Sequence, residues 1–91
     1  MSVAIAGTVF DSHEYDARGD VLYLSVGRPK QAARTIATPE GHAVDYDGSG
    51  AITGMVLVNV RWMLDRHGEV TVTLPPDRVV PAQIESALVA V

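Results

Sequence analysis

Residues 45–64, DYDGSGAITGMVLVNVRWML, are the stretch that any fold of this chain must accommodate. From Ile52 every even position is apolar or Gly (Ile52, Gly54, Val56, Val58, Val60, Trp62, Leu64), while Thr53, Asn59 and Arg61 fall on the odd side. A period of two predicts a strand with one face buried. The preceding Asp45-Tyr46-Asp47-Gly48-Ser49-Gly50 supplies turn chemistry that folds it back on residues 42–46 as a hairpin. Extended throughout, residues 51–64 would reach about 46 Å at roughly 3.3 Å per residue. A compact domain of this length is only about 30 Å across. Either the strand bends or bulges near Asn59-Val60-Arg61, or its far half packs on a second copy. Met55, Leu57 and Met63 make the odd face partly apolar too, so both faces need cover. The expectation is a homodimer with Trp62, Met63 and Leu64 at the contact, joined by Ile84 and Leu88 of a C-terminal helix.

The remaining chain reads as short strands and turns within one domain, residues 1–91. Residues 1–8 are a loose leader or an edge strand weakened by Gly7, and residues 9–74 form a β-meander. Its strands fall at residues 8–15, 21–26, 33–37, 42–46, 51–64 and 70–74, separated by Gly-, Pro- and Asp-containing turns. After Pro75-Pro76 the period changes. Ile84, Ala87, Leu88 and Val91 recur at helical spacing behind Pro81, predicting a helix over residues 80–91. The fold class is therefore α+β, an antiparallel meander with one C-terminal α-helix covering the sheet.

Composition narrows the function classes. The chain has no cysteine, which removes disulfides, thiolate nucleophiles and Cys-based zinc sites. A net charge of −4, with Lys and Arg scattered, does not provide the basic face that a nucleic-acid binder needs. No run approaches a membrane span, and the short apolar N-terminal run has no Lys or Arg before it, so the expected location is cytoplasmic. No cofactor, metal-ligand or catalytic motif emerges. The serines lack nucleophile-elbow surroundings, and His13, His42 and His67 follow no ligand spacing.

Two polar groupings remain as candidates. Residues 45–52 match the opening of a calcium loop, but Val56 stands where the bidentate Glu belongs, and the flanks read as strands. The hairpin turn alone explains the Asp and Gly residues. Were the turns after Tyr15 and after Tyr46 to share one end of the sheet, Asp16, Asp20, Asp45 and Asp47 would converge near Tyr15, Tyr23 and His42. That would make a cation site or an acid/base pocket. Alternatively, each Asp serves its own turn.

The segments Tyr15-Asp16-Ala17-Arg18-Gly19-Asp20-Val21-Leu22-Tyr23-Leu24, Gly41-His42-Ala43-Val44-Asp45-Tyr46-Asp47 and Ile52-Thr53-Gly54-Met55 resemble a family of small prokaryotic proteins. It is the domain of unknown function numbered twenty-two eighty-three, and the likeness covers residues 15–57. The chain departs from the pattern at Met55 and Val56, where an acidic residue is usual, and adds residues 62–91. The resemblance implies a β-meander and no defined chemistry. Some members look like the smaller partner of toxin–antitoxin-like gene pairs. The expected role is thus a homodimeric, non-catalytic binding or regulatory protein, of which an antitoxin-like inhibitor is one form. The alternative is a small-ligand or cation-binding module using the turn aspartates.

Overall fold

A computed structural model describes residues 2–28, 31–74, 77–82 and 84–88. Its centre is a five-stranded antiparallel sheet in which Ser12–Asp16 (β3), Val21–Ser25 (β4), Ile52–Val58 (β7), Ala43–Tyr46 (β6) and Arg34–Ala37 (β5) lie side by side in that order. Two hairpins connect adjacent strands through turns rich in Asp and Gly: β3 with β4, and β6 with β7. β4 and β7 pair at the centre, and β5 closes the far edge against β6. The antiparallel α+β expectation holds at this level.

Alternation sorts the two faces. On one face Tyr15, Leu22, Leu24, Val44, Met55 and Leu57 are buried in a single cluster. Against it pack Val3, Ile5 and Phe10 from the hairpin β1 (Val3–Ile5) and β2 (Thr8–Phe10), Val60 from the helix α1 (Val60–His67), and Val70 and Val72 at β8 (Val72–Leu74). Ile84, Ala87 and Leu88 complete the cluster from a 3-10 turn, Ile84–Ala87. β8 pairs antiparallel with β9 (Asp77–Val79) in a small separate two-stranded sheet.

The fold departs from the sequence pattern at several points. The long ribbon stops at Val58: Asn59 adopts a left-handed φ of 55°, and the next residues coil into α1. This turn resolves the length conflict within a molecule measuring 36 × 30 × 21 Å. The buried side of β7 is the odd one, Met55 and Leu57, whereas Val56 and Val58 point the other way and are half-buried. Residues 2–8 include a strand, Val3–Ile5, rather than a loose leader, and Met1 lies outside the described residues. Val3 and Ile5 are core, and the chain reverses at Ala6-Gly7 with positive φ at both residues, as a tight hairpin turn requires. The α-helix lies at residues 60–67 rather than at the C-terminal end, where the helical spacing of Ile84, Ala87 and Leu88 produces one buried 3-10 turn and residues 77–79 form a strand. Residues 83 and 89–91 of the expected helix lie outside the described residues.

The proposed contact residues also divide. Ile84 and Leu88 are enclosed by their own chain, and Met63 and Leu64 pack partly on the core. Trp62 remains 50% exposed, its ring under the Arg66 guanidinium at 5.1 Å and edge-on to His67 at 5.8 Å.

Candidate functional site

The seven polar candidates do not form one site, and the strand register shows why. Val21 pairs with Val58 and Ser25 with Gly54, while Gly54 also faces Asp45. The turn carrying Asp16 and Asp20 is therefore at the Val58 end of the sheet, and the turn carrying Asp47 is at the opposite end. Convergence of the four carboxylates is excluded by the topology, and no metal-holding group of His, Asp and Glu occurs among the described residues.

Each aspartate instead has a local task. Asp16 Oδ1 accepts hydrogen bonds from the N–H groups of Arg18 (3.0 Å) and Gly19 (3.4 Å), closing its turn. Asp47 Oδ1 accepts from the N–H of Ser49 (2.8 Å) and Ala51 (3.1 Å) and from the Ser49 hydroxyl (2.6 Å). This is the hairpin-turn arrangement rather than an open calcium loop. Asp45 accepts from the Thr35 hydroxyl at 2.7 Å across the β5–β6 pair.

Asp20 reaches furthest. Its carboxylate accepts from the Tyr15 hydroxyl (2.7 Å) and from the N–H groups of Arg61 (2.7 Å) and Trp62 (3.0 Å). It thereby supplies the N-terminal cap of α1, since Asn59 makes no side-chain cap. Burial raises the Asp20 pKa, but the bonds from Tyr15, Arg61 and Trp62 outweigh it and leave the carboxyl below its usual value. Tyr15 is pushed up, first by burial and then by its bond to Asp20. In this chain the Tyr-Asp-x-x-x-Asp motif ties a strand, a turn and a helix together.

His42 is fully buried just before β6, remote from the strand position of His13. Its Nδ1 accepts from the Val58 N–H at 3.0 Å, so the proton sits on Nε2, which donates to the Thr71 carbonyl at 2.9 Å. The ring joins the end of β7 to the chain entering β8. Burial lowers the His42 pKa against the opposing effects of the Thr71 carbonyl and Glu40. Glu40 accepts from the Thr73 N–H (3.0 Å) and hydroxyl. Burial raises its pKa, but these bonds prevail and bring it down to about 2.

Both shifts fix a pH dependence. Below pH 6.5 the unfolded chain binds a proton at His42 that the native state resists, so stability falls as pH falls through the lower folded pKa. The Glu40 contribution is complete above pH 4.5 and disappears toward pH 2. Urea midpoints are expected to drop from pH 7.5 to pH 5.5 in the wild type and to change less in His42→Phe. Equal slopes in the two proteins would remove His42 as the cause.

The surface left open is the other face of the sheet. Register aligns Glu14, Tyr23, Val56, Ala43 and Ala37 in one row across all the strands, and Ser12, Ser25, Gly54, Asp45 and Thr35 in the next. Among the described residues, no other element lays a buried side chain on this face, and Tyr23 at its middle is 44% exposed. Gly54 leaves the floor of a hollow of about 270 Å³ bordered by Glu14, Tyr23 and Asp45. An added Cβ at Gly54 would lie 3.1 Å from the Leu24 carbonyl and 3.4 Å from Asp45 Oδ2, so the close backbone approach depends on glycine. Strand positions on this face carry Glu14, Asp16 and Asp45 and no Lys, Arg or His. Of the polar candidates only Tyr23 and Asp45 meet at this hollow. Glu14, Gly54 and Val56 are not among the sequence candidates: Gly54 and Val56 lie in the even-position run that the pattern assigns to the buried face, and Glu14 carries no local signal. Comparison of the chain with family models, curated proteins and solved structures finds no match.

Proposed function

We propose that this chain is a non-catalytic regulatory binding protein that uses the bare sheet face to hold a partner protein. The observation carrying this reading is the uncovered Glu14–Tyr23–Val56–Ala43–Ala37 row, apolar at its centre and bordered by carboxylates. Val56 and Val58 keep strand-forming, half-buried apolar side chains on a face that no described element covers. Tyr23 supplies a rigid amphipathic anchor of the kind enriched at interface centres. Glu14 and Asp45 select a partner whose apolar patch is flanked by Lys or Arg, one basic side chain entering the hollow over Gly54. Masking a basic protein, as an antitoxin does, is the form of regulation this surface suits. The resemblance to the small prokaryotic family supports the same role by analogy.

The test uses the full chain as bait in native extract. A basic partner is expected to co-purify at fixed stoichiometry and to dissociate as salt is raised. Tyr23→Ala and Glu14→Lys should each weaken that complex by at least tenfold, with circular dichroism unchanged. Undiminished binding by both variants would move the interface elsewhere, and a partner held only through Trp62→Ala-sensitive contacts would replace the bare face with α1.

A further inference from the structure

The edge of the sheet offers a second surface, separate from the centre of the bare face. Every residue of β5 is exposed, including Ile36 at 40%, and no described strand pairs on its outer side. The ladder toward β6 continues through Thr38, whose N–H donates to the His42 carbonyl at 2.8 Å. Antiparallel bonding alternates from that pair, so Thr38 and Ile36 turn their backbone groups inward to β6. Thr35 and Ala37 turn theirs outward. Among the described residues neither has a backbone partner on that side. An exposed row of this kind is a template for an extended strand, whose donors and acceptors match its spacing.

We infer that the strand accepted is β5 of a second copy, paired antiparallel about a two-fold axis through Ile36. The register is self-complementary. With Ile36 opposite its own counterpart, Thr35 of each copy faces Ala37 of the other, and those are the residues whose N–H and C=O point outward. Each such pair exchanges both hydrogen bonds. Parity agrees as well: a two-fold axis perpendicular to the sheet keeps buried face beside buried face, which requires like-facing residues to pair. The two Ile36 side chains meet at a non-hydrogen-bonded position, where cross-strand side chains approach most closely. Each also borders a groove of about 270 Å³ lined by Val44, Tyr46 and Leu74, so the pair closes two apolar grooves together. Like charges do not oppose the match. Arg34 comes opposite Thr38, and its guanidinium is already over its own Tyr46 ring at 4.9 Å. The other sheet edge, β3, packs against the 3-10 turn Ile84–Ala87, leaving β5 as the better place for an added strand.

The experiment is sedimentation of the full chain across concentration, combined with amide hydrogen exchange. A concentration-dependent dimer is expected, with protection at the Thr35 and Ala37 amides rising in step with it. Ala37→Pro removes an outward N–H without touching a bond to β6, and Ile36→Lys sets two charges together on the axis. Each variant should raise the dimer dissociation constant at least tenfold with an unchanged circular dichroism spectrum. If either variant unfolds, the exchange pattern of the wild type decides alone. A wild-type monomer at millimolar concentration overturns the inference. So does a dimer whose Thr35 and Ala37 amides exchange as fast as in the monomer.

Discussion

Asp20→Ala is expected to cost roughly 2–3 kcal/mol of folding stability, which lowers Tm by about 10–20 °C for a chain of this size. Two losses add up. A helix whose N-terminal cap is removed gives up about 0.5–2 kcal/mol, and the Asn59 side chain makes no substitute cap for α1. The Tyr15 hydroxyl also loses a charged acceptor at 2.7 Å, leaving a buried donor short of its partner. The carboxylate is half-exposed, which keeps the total below the sum of fully buried bonds. Asp20→Asn should recover part of the loss, because its amide oxygen accepts from the same N–H groups without the charge. Asp20→Gly is a useful companion, since Asp20 sits at φ 56° and glycine relieves that conformation while still removing the cap. Thermal melts of these variants check the cap. A melt of Asp20→Ala within a degree or two of wild type would mean that these bonds carry little weight.

His42→Phe is expected to be more damaging, at roughly 3–4 kcal/mol, although phenylalanine fills a similar space. The substitution strands the Val58 N–H and the Thr71 carbonyl in the interior, and each unpaired buried group costs about 1–3 kcal/mol. His42→Gln should do better than phenylalanine, as one amide can accept from Val58 and donate to Thr71. Urea titrations order the variants. Phenylalanine equal to histidine would show that packing, not hydrogen bonding, holds the ring in place.

How much of this was legible in the sequence depends on which force shaped each element. β4 and the β6–β7 hairpin were readable because local pattern and turn chemistry agree there: Leu22 and Leu24 alternate, and Asp47 and Gly50 close the turn. The bounds of β4 differ from the expectation only at Val26. Helix α1 was not readable from periodicity, because Val60, Trp62 and Leu64 continue the even-position pattern of the strand by coincidence. The available signals were terminal ones, Arg66 and His67 in the last turn and Gly68 at the C-cap. The faces of β7 were inverted because both carry apolar residues, and burial is decided by Phe10, Val70 and Ile84, distant in sequence. β1 and β2 were missed as a hairpin because its turn uses Ala6 at positive φ, a position where sequence offers no preference for alanine. The site shared that fate. Tyr23 and Asp45 were singled out for their chemistry, but the company they keep follows from strand order, which a period-two pattern does not encode.

The long-range cap on α1 also constrains the order of assembly. A segment of eight residues is too short to coil stably by itself, and its first N–H groups wait for a carboxylate 41 positions earlier in the chain. During synthesis the Asp20 turn emerges first and Arg61 much later, so the cap on α1 is complete only once β4 and β7 have aligned Val21 with Val58. The helix is then a latecomer rather than a nucleus. Its side chains should influence the rate at which the molecule comes apart far more than the rate at which it forms.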